Sequence, residues 1–178
     1  MADSFLPRFD LTEVHFWAKR YKYLNEELLT DEIGPRMKST GYLTQPDFQV
    51  LCYWKTPRSK PKVASNSAEF IQEVTQTALA TPSEQLRIEV LTLLRGVSWP
   101  TASVILHFGH RERYPILDVR ALWSLGVTYP ASAYDFEFWW AYVQACRHLA
   151  DECGVDMRTL DRALWQYSKE NQPALNSG

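Results

Sequence analysis

The stretch that decides the fold runs from Leu91 to Leu125 and has the sequence LTLLRGVSWPTASVILHFGHRERYPILDVRALWSL. Its pattern predicts a helix that ends at Leu94, a tight turn from Arg95 to Ser98, and a second helix that starts near Pro100, where proline fits the first turn. Gly96 can supply the unusual backbone angle that such a turn needs. We therefore expect two helices joined by a hairpin.

The beginning of the second helix carries the first chemical expectation. Its backbone N–H groups and the positive end of its dipole can together hold a phosphate without a basic side chain. After a loop from Gly109 to Pro115 comes Asp118, an acid among apolar neighbours at or near the start of another helix. A carboxylate there has two interpretations, a catalytic group or a helix N-cap.

Two segments carry a resemblance to a known family. Arg95–Ser103, RGVSWPTAS, resembles the hairpin of the helix-hairpin-helix DNA glycosylase superfamily, whose pattern is roughly P-G-V-G-x-x-T-A. Tyr114–Arg120, YPILDVR, is similar to the segment in which that family keeps its catalytic aspartate, and Asp118 follows Gly96 by 22 residues. The match covers about a fifth of the chain, extends loosely to Trp165, and leaves the first 80 residues without a counterpart.

The resemblance implies a function and a set of site residues. The expected activity is hydrolysis of the N-glycosidic bond of a flipped, damaged or modified base in double-stranded DNA, with Asp118 as the catalytic carboxylate. The expected DNA contacts are Gly96, Val97, Ser98, Thr101 and Arg120. No cofactor and no metal is expected, because no His/Cys/Asp set has metal-ligand spacing and three cysteines cannot supply the four thiolates of an iron–sulfur cluster.

The sequence departs from the family pattern at two positions. Ser98 replaces the second glycine of the hairpin, which affects the phosphate-holding turn. Pro100 stands where bifunctional members carry a nucleophilic lysine, so no Schiff base can form there. The implied enzyme is therefore monofunctional, without AP-lyase activity.

The charge distribution adds a second DNA-binding candidate. The net charge of -2 argues mildly against a nucleic-acid partner, but residues 35–62 hold six basic residues and one acid. Lys55, Arg58 and Lys60 lie in a loop that the prolines predict from Lys55 to Ser67, and we expect them to contact DNA. A solvated basic loop is the alternative.

Aromatic residues make up 13% of the chain and include seven tryptophans. Stacking surfaces suit a base that has left the duplex, so the candidate base pocket is drawn from these residues. The candidates are Trp17, Tyr21, Tyr23, Trp54 and Trp123, and the alternative for each of them is a place in the hydrophobic core.

Strand-like alternation is almost absent, which predicts an all-α fold: one compact helical domain over residues 1–178 with about eight helices and a helix-hairpin-helix motif. Residues 1–62 would form N-terminal helices and the basic loop, 81–128 the hairpin and the Asp118 segment, and 132–171 the C-terminal helices. A long helix is expected from Asp10 to Glu32. The expected N-caps are Asn66 and Thr81 in the middle of the chain, and Ser132 and Asp156 near its end.

Several classes of protein are disfavoured. No apolar run approaches the ~18 residues of a membrane span, and the start MADSFLPRFD does not have the pattern of a signal peptide. The scattered cysteines Cys52, Cys146 and Cys153 favour buried thiols in a reducing compartment. We expect a cytoplasmic monomer, nucleoid-associated if bacterial, with no membrane partner.

Three functions remain on the sequence alone: a monofunctional DNA glycosylase, a non-catalytic helix-hairpin-helix DNA-binding protein, and a helical adaptor whose hairpin only packs helices. Asp118 favours the first over the second, and the net acidity favours the third. The sequence does not determine the target base, and the candidates are alkylated purines, oxidised or deaminated bases and bulky modified cytosines. The setting stays open between housekeeping repair and defence against foreign DNA.

Overall fold

The computed structural model describes residues 5–23, 25–128 and 130–173. Within these ranges the secondary structure is helical and contains no strand, which confirms the all-α prediction. The chain divides into two compact units. We call Met1–Lys22 with Asp118–Gly178 the terminal unit, and Tyr23–Leu117 the central unit. A single domain over residues 1–178 stays a prediction.

The helices are numbered in chain order, and α2 is a composite of three consecutive helical segments. The bounds in the described residues are α1 Val14–Arg20, α2 Glu26–Leu28 with Leu29–Ile33 and Gly34–Thr40, α3 Gln45–Lys55, α4 Lys60–Ala64, α5 Ala68–Ala80, α6 Glu84–Leu91, α7 Trp99–Gly109, α8 Val119–Ser124, α9 Phe136–Cys153 and α10 Met157–Asn171. The middle segment of α2 is a π-helix. Short 3-10 turns occupy Leu11–Glu13, Pro57–Ser59 and Ala131–Ala133.

The terminal unit is built around α10. Helices α1, α8 and α9 all pack against it. The buried Ser124 hydroxyl donates to the Leu164 carbonyl at 2.6 Å, which joins α8 to α10. The extended segment before α1 adds two backbone hydrogen bonds, from Leu6 to Leu125 and from Arg8 to Ser124. These contacts join residues that are far apart in the sequence, and they fix α8, the helix that begins after Asp118, within the terminal unit.

The central unit is built around α7. Residues 101–106 of this helix are all buried, because α2, α3 and α6 pack around it. Buried apolar side chains of α2 and α3 contribute to the same core: Leu29, Ile33, Met37, Phe48 and Leu51. Cys52 on α3 is also buried, and burial raises the pKa of its thiol. The two helices of the predicted hairpin, α6 and α7, therefore belong to one packed core.

The long helix predicted from Asp10 to Glu32 is wrong. Helix α1 ends at Arg20, and Tyr21 has an extended backbone. Asn25 then adopts a left-handed conformation with a φ of 61° as the N-cap of α2. Asparagine tolerates this conformation better than most residues, so it can begin a new helix where the pattern suggested continuity. Leu24, an apolar position of the predicted helix, lies outside the described residues.

The expected N-caps in the middle of the chain are also wrong. Ser67 caps α5 by accepting a hydrogen bond from the Phe70 N–H, and Ser83 caps α6 by accepting from the Leu86 N–H. Serine is as good an N-cap as asparagine, so local propensity did not discriminate between neighbouring candidates. Near the C-terminus, Asp156 caps α10 as predicted, whereas α9 begins after Asp135 rather than Ser132.

The segment predicted as a loop from Lys55 to Ser67 is largely helical. Pro57 opens a 3-10 turn, and Pro61 lies in the first turn of α4. Proline is tolerated in a first helical turn, where its missing N–H has no intrahelical partner to lose. The basic side chains here are thus displayed on short helical turns.

No helix among the described residues is both long and apolar enough to cross a membrane.

Candidate nucleic-acid interface

The turn between α6 and α7 has the backbone that its glycine predicted. Helix α6 ends at Leu91, three residues earlier than expected, and the connection runs from Thr92 to Ser98. The Val97 N–H donates to the Leu94 carbonyl at 3.0 Å. Gly96 has a φ of +85°, a conformation that L side chains rarely adopt. The turn therefore depends on glycine at this position.

A buried side chain ties this turn to the basic segment. Asn66, 5% exposed, accepts a hydrogen bond from the Arg95 N–H at 2.8 Å and donates to the Arg95 carbonyl at 2.9 Å. The same amide nitrogen donates to the Val63 carbonyl at 2.9 Å, at the end of α4. One asparagine thus satisfies backbone groups of both segments, which is why it does not serve as a helix cap.

The backbone at Gly96 lies directly against α4. A Cβ atom placed on Gly96 would sit 2.8 Å from Val63 Cγ2 and 3.2 Å from Lys62 Cβ. Residues 55–62 and the 95–98 turn are therefore adjacent within the central unit. We call these two segments together the basic surface.

The cations of the basic surface are mostly exposed. Arg58, Lys60, Lys62 and Arg95 face solvent, whereas Lys55 is half-buried. The other basic residues between positions 35 and 62 do not all add to this charge, because Arg36 forms a bidentate pair with Asp47 at 2.8 and 2.9 Å. The charge that can attract phosphates is accordingly concentrated beside the turn.

The predicted hairpin contacts differ in accessibility. Ser98 is exposed and is the N-cap of α7, but its side chain makes no capping hydrogen bond. Val97 is 7% exposed, and Thr101 is fully buried with its hydroxyl 3.4 Å from that of Thr56. The side chains of Val97 and Thr101 therefore pack the turn and the start of α7, whereas Arg95 and Ser98 are exposed and Gly96 is half-buried.

Asp118 is the N-cap of α8. Its backbone is extended, and its Oδ1 atom accepts a hydrogen bond from the Arg120 N–H at 2.9 Å. The carboxylate is half-buried. In the central unit, the preceding residue Leu117 donates its N–H to the Ser103 hydroxyl at 2.8 Å, which fixes the chain on α7 up to that residue. Asp118 thus holds a defined orientation through one of its oxygens.

The negative charge of Asp118 affects the pKa values of two tyrosines in the terminal unit. Burial raises the pKa of Tyr134, and the negative charge of Asp118 raises it further. Burial likewise raises the pKa of Tyr142 well above its ordinary value, and Cys146, Asp161 and Asp118 all act in the same direction. Both phenols therefore stay neutral at physiological pH, and neither adds a negative charge near Asp118.

Arg120 lies on the first turn of α8, two residues after Asp118. Its guanidinium carbon is 5.4 Å from the centre of the Trp165 ring on α10, in cation–π geometry. The side chain is half-buried. The structure therefore gives Arg120 a packing role in the terminal unit, and its contact with DNA stays a prediction.

The aromatic candidates of the terminal unit are engaged with their own neighbours. Trp17 and Trp123 both contact Tyr167, with ring centres 5.1 and 5.9 Å apart, and the Arg8 guanidinium covers the Trp123 ring at 4.7 Å. Tyr21 accepts a hydrogen bond from Arg158 at 3.1 Å. These half-buried rings form an aromatic cluster that joins the N-terminal segment to α10.

The aromatic candidates of the central unit are Trp54 and Tyr23, and one of them lines a groove. Trp54 lines an open groove of about 490 Å³, and Tyr23 packs edge-on against Trp54 with ring centres 5.3 Å apart. Tyr53, which the sequence analysis did not single out, lines the same groove and carries the Lys60 ammonium 5.1 Å from its ring centre. The sequence signal that could have identified Tyr53 is its position two residues before Lys55, where the basic segment begins.

Comparison of the chain with family models, curated proteins and solved structures finds no match.

Proposed function

We propose that this protein is a monofunctional DNA glycosylase, which hydrolyses the N-glycosidic bond of a flipped damaged or modified base in double-stranded DNA. The observation that carries the proposal is Asp118, a half-buried acid at the start of α8 whose Oδ1 atom accepts from the Arg120 N–H and whose charge raises the pKa of the buried Tyr134. It follows the Gly96 turn at the separation that the family resemblance requires.

The basic surface supports DNA as the partner. The backbone from the half-buried Gly96 to the exposed Ser98 can hold a phosphate at the start of α7, and the adjacent cations Arg58, Lys60 and Arg95 can neutralise neighbouring phosphates. The hydrogen bonds of Asn66 fix the turn and the basic segment relative to each other in the absence of DNA. Such preorganisation lowers the entropic cost of binding.

The chemistry needs only a carboxylate and a water molecule. The bond between the sugar C1′ and the base nitrogen breaks, and the base leaves with the electron pair and is then protonated. The resulting sugar cation is stabilised by the negative charge of Asp118. Water then adds to C1′ and gives a proton to Asp118, and this proton passes through solvent to the departed base nitrogen, which restores the carboxylate. Pro100 has no amine, so the product is an abasic site in an intact strand.

The test is single-turnover base excision with Asp118→Asn. Asparagine keeps the Oδ1 atom that accepts from the Arg120 N–H, so α8 stays capped while the charge is lost. We expect excision to slow by about 100-fold or more and DNA affinity to hold or improve. The matched control is Asp135→Asn, which makes the same change at the N-cap of α9. Near wild-type excision by Asp118→Asn would contradict the catalytic assignment.

The substrate panel decides between the glycosylase and its alternative. Wild-type protein is incubated with duplexes that carry an alkylated purine, an oxidised base, uracil or a glycosylated hydroxymethylcytosine, and hot alkali then reveals abasic sites. Borohydride should trap no protein–DNA adduct. Salt-sensitive DNA binding with no abasic product across the panel would favour a non-catalytic DNA-binding protein, in which Asp118 acts only as the cap that the structure contains. Absence of DNA binding would favour the helical adaptor.

A further inference from the structure

An open groove lies beside Tyr53 in the central unit. Its volume of about 490 Å³ lies within the range of small-ligand pockets, roughly 300–1,000 Å³. Two helices of the central unit form its walls. The lining residues are Asn25, Glu27 and Leu28 at the start of α2, and Val50, Tyr53 and Trp54 on α3.

The α3 wall offers a stacking surface. Val50, Tyr53 and Trp54 are three and four residues apart, so they share one face of the helix. Val50 is 38% exposed and Leu28 across the groove is 37% exposed, which leaves apolar surface in contact with solvent. A flat apolar ligand can therefore displace water from this wall.

A negative charge lines the groove, and a positive charge lies beside it. The Lys60 ammonium lies 5.1 Å from the Tyr53 ring centre, and Lys60 belongs to the basic surface. The Glu27 carboxylate comes from the α2 wall. A ligand that matches all three features has a negative charge that draws the Lys60 ammonium from the Tyr53 ring, a planar face that takes its place on the ring, and hydrogen-bond donors for Glu27.

The backbone of the α2 wall is unusual. Asn25 is the one non-glycine residue of the described chain with a positive φ, and the π-helical segment begins at Leu29, directly after the groove residue Leu28. Both features are enriched at functional sites.

We infer that this groove binds an unpaired nucleobase that carries an amino group, with a phosphate of the same strand on Lys60. A carboxylate accepts a hydrogen bond from the exocyclic amine of cytosine or adenine. In thymine the N3–H lies between two carbonyl oxygens, which repel a carboxylate. The inference deepens the proposed function because it takes DNA as the partner, and it assigns the groove a preference among bases.

The experiment measures the binding of duplexes with one bulged nucleotide by fluorescence anisotropy at fixed salt. The bulge is cytidine, thymidine or a tetrahydrofuran abasic residue. Wild-type protein should bind the cytidine bulge about 10-fold more tightly than the abasic bulge, as expected for one stacked base. Tyr53→Leu keeps apolar bulk but removes the stacking ring, and should abolish this ratio. Glu27→Gln should abolish only the preference for cytidine over thymidine.

The matched control is Phe70→Ala, which removes an exposed ring, 39% accessible, from α5 of the same unit without touching the groove. It should keep both preferences. Equal binding of the cytidine and abasic bulges by the wild type, or an unchanged ratio in Tyr53→Leu, would overturn the inference. Bulge preference without base excision would contradict the glycosylase proposal alone. Excision without bulge preference would contradict the groove assignment alone.

Discussion

The side-chain amide of Asn66 pairs with the backbone of Arg95 through two hydrogen bonds, of 2.8 Å to the N–H and 2.9 Å to the carbonyl. The two residues are 29 positions apart in the sequence, and the loop that they close includes all of α5 and α6. Asn66 also bonds the Val63 carbonyl, so one buried amide holds the basic segment against the turn. The arrangement of the basic surface depends on this side chain.

We therefore predict that Asn66→Ala lowers both stability and DNA affinity. The substitution leaves the Arg95 N–H and carbonyl without their partner and should cost about 2 kcal/mol in the free energy of unfolding. Urea unfolding measures the cost, and hydrogen exchange at the Arg95 amide should accelerate. The control is Asn171→Ala, at an exposed asparagine of α10. Unchanged exchange at Arg95 would show that the pairing does not order the turn.

Gly96→Ala and Gly41→Ala form a matched pair. Both glycines have a φ near +80°, at +85° and +81°, but a Cβ atom on Gly41 meets nothing within 4 Å. Gly41→Ala should therefore show the backbone strain alone, about 1–2 kcal/mol. Gly96→Ala adds the clash with Val63 and should be clearly more destabilising in thermal or urea unfolding. Equal losses would mean that α4 moves away from the turn without cost.

The basic surface should set the salt dependence of DNA binding. Replacing Lys55, Arg58 and Lys60 together by Ala should weaken binding to all sequences alike, and should reduce the steepness of log K against log salt by up to about 2.7, since each phosphate contact contributes about 0.9. Arg36→Ala removes another exposed guanidinium of the same unit, but one that Asp47 already pairs, so it should leave the slope nearly unchanged. A triple variant with the wild-type slope would place the DNA contacts elsewhere.

The Arg36–Asp47 pair should make stability depend on pH in the acid range. The hydrogen bonds from Arg36 lower the pKa of Asp47 below its ordinary value. Because the folded pKa is the lower one, the contribution is fully present above the unfolded value, about 3.9, and is lost as the pH falls through the folded pKa. Arg36→Gln should be less stable than wild type at pH 6, with the difference shrinking under acid. Urea unfolding across this range tests it, and a difference independent of pH would contradict it.

The features that the sequence predicted correctly are local ones. The helical class follows from apolar spacing and the absence of alternation. Asp118 and Asp156 cap their helices, because capping depends on a few consecutive residues. The glycine turn between α6 and α7 was predictable for the same reason.

What only the tertiary structure decided depends on contacts between distant residues. Asn66 has the local pattern of a helix cap, but its partner is Arg95, which lies across two helices in sequence. The burial of Thr101 depends on Thr56 and the packing around α7. Tyr53 becomes a wall of a groove only because the start of α2 lies beside it. Sequence patterns report the conformation that neighbouring residues prefer, whereas burial and pairing depend on which surfaces meet in the fold.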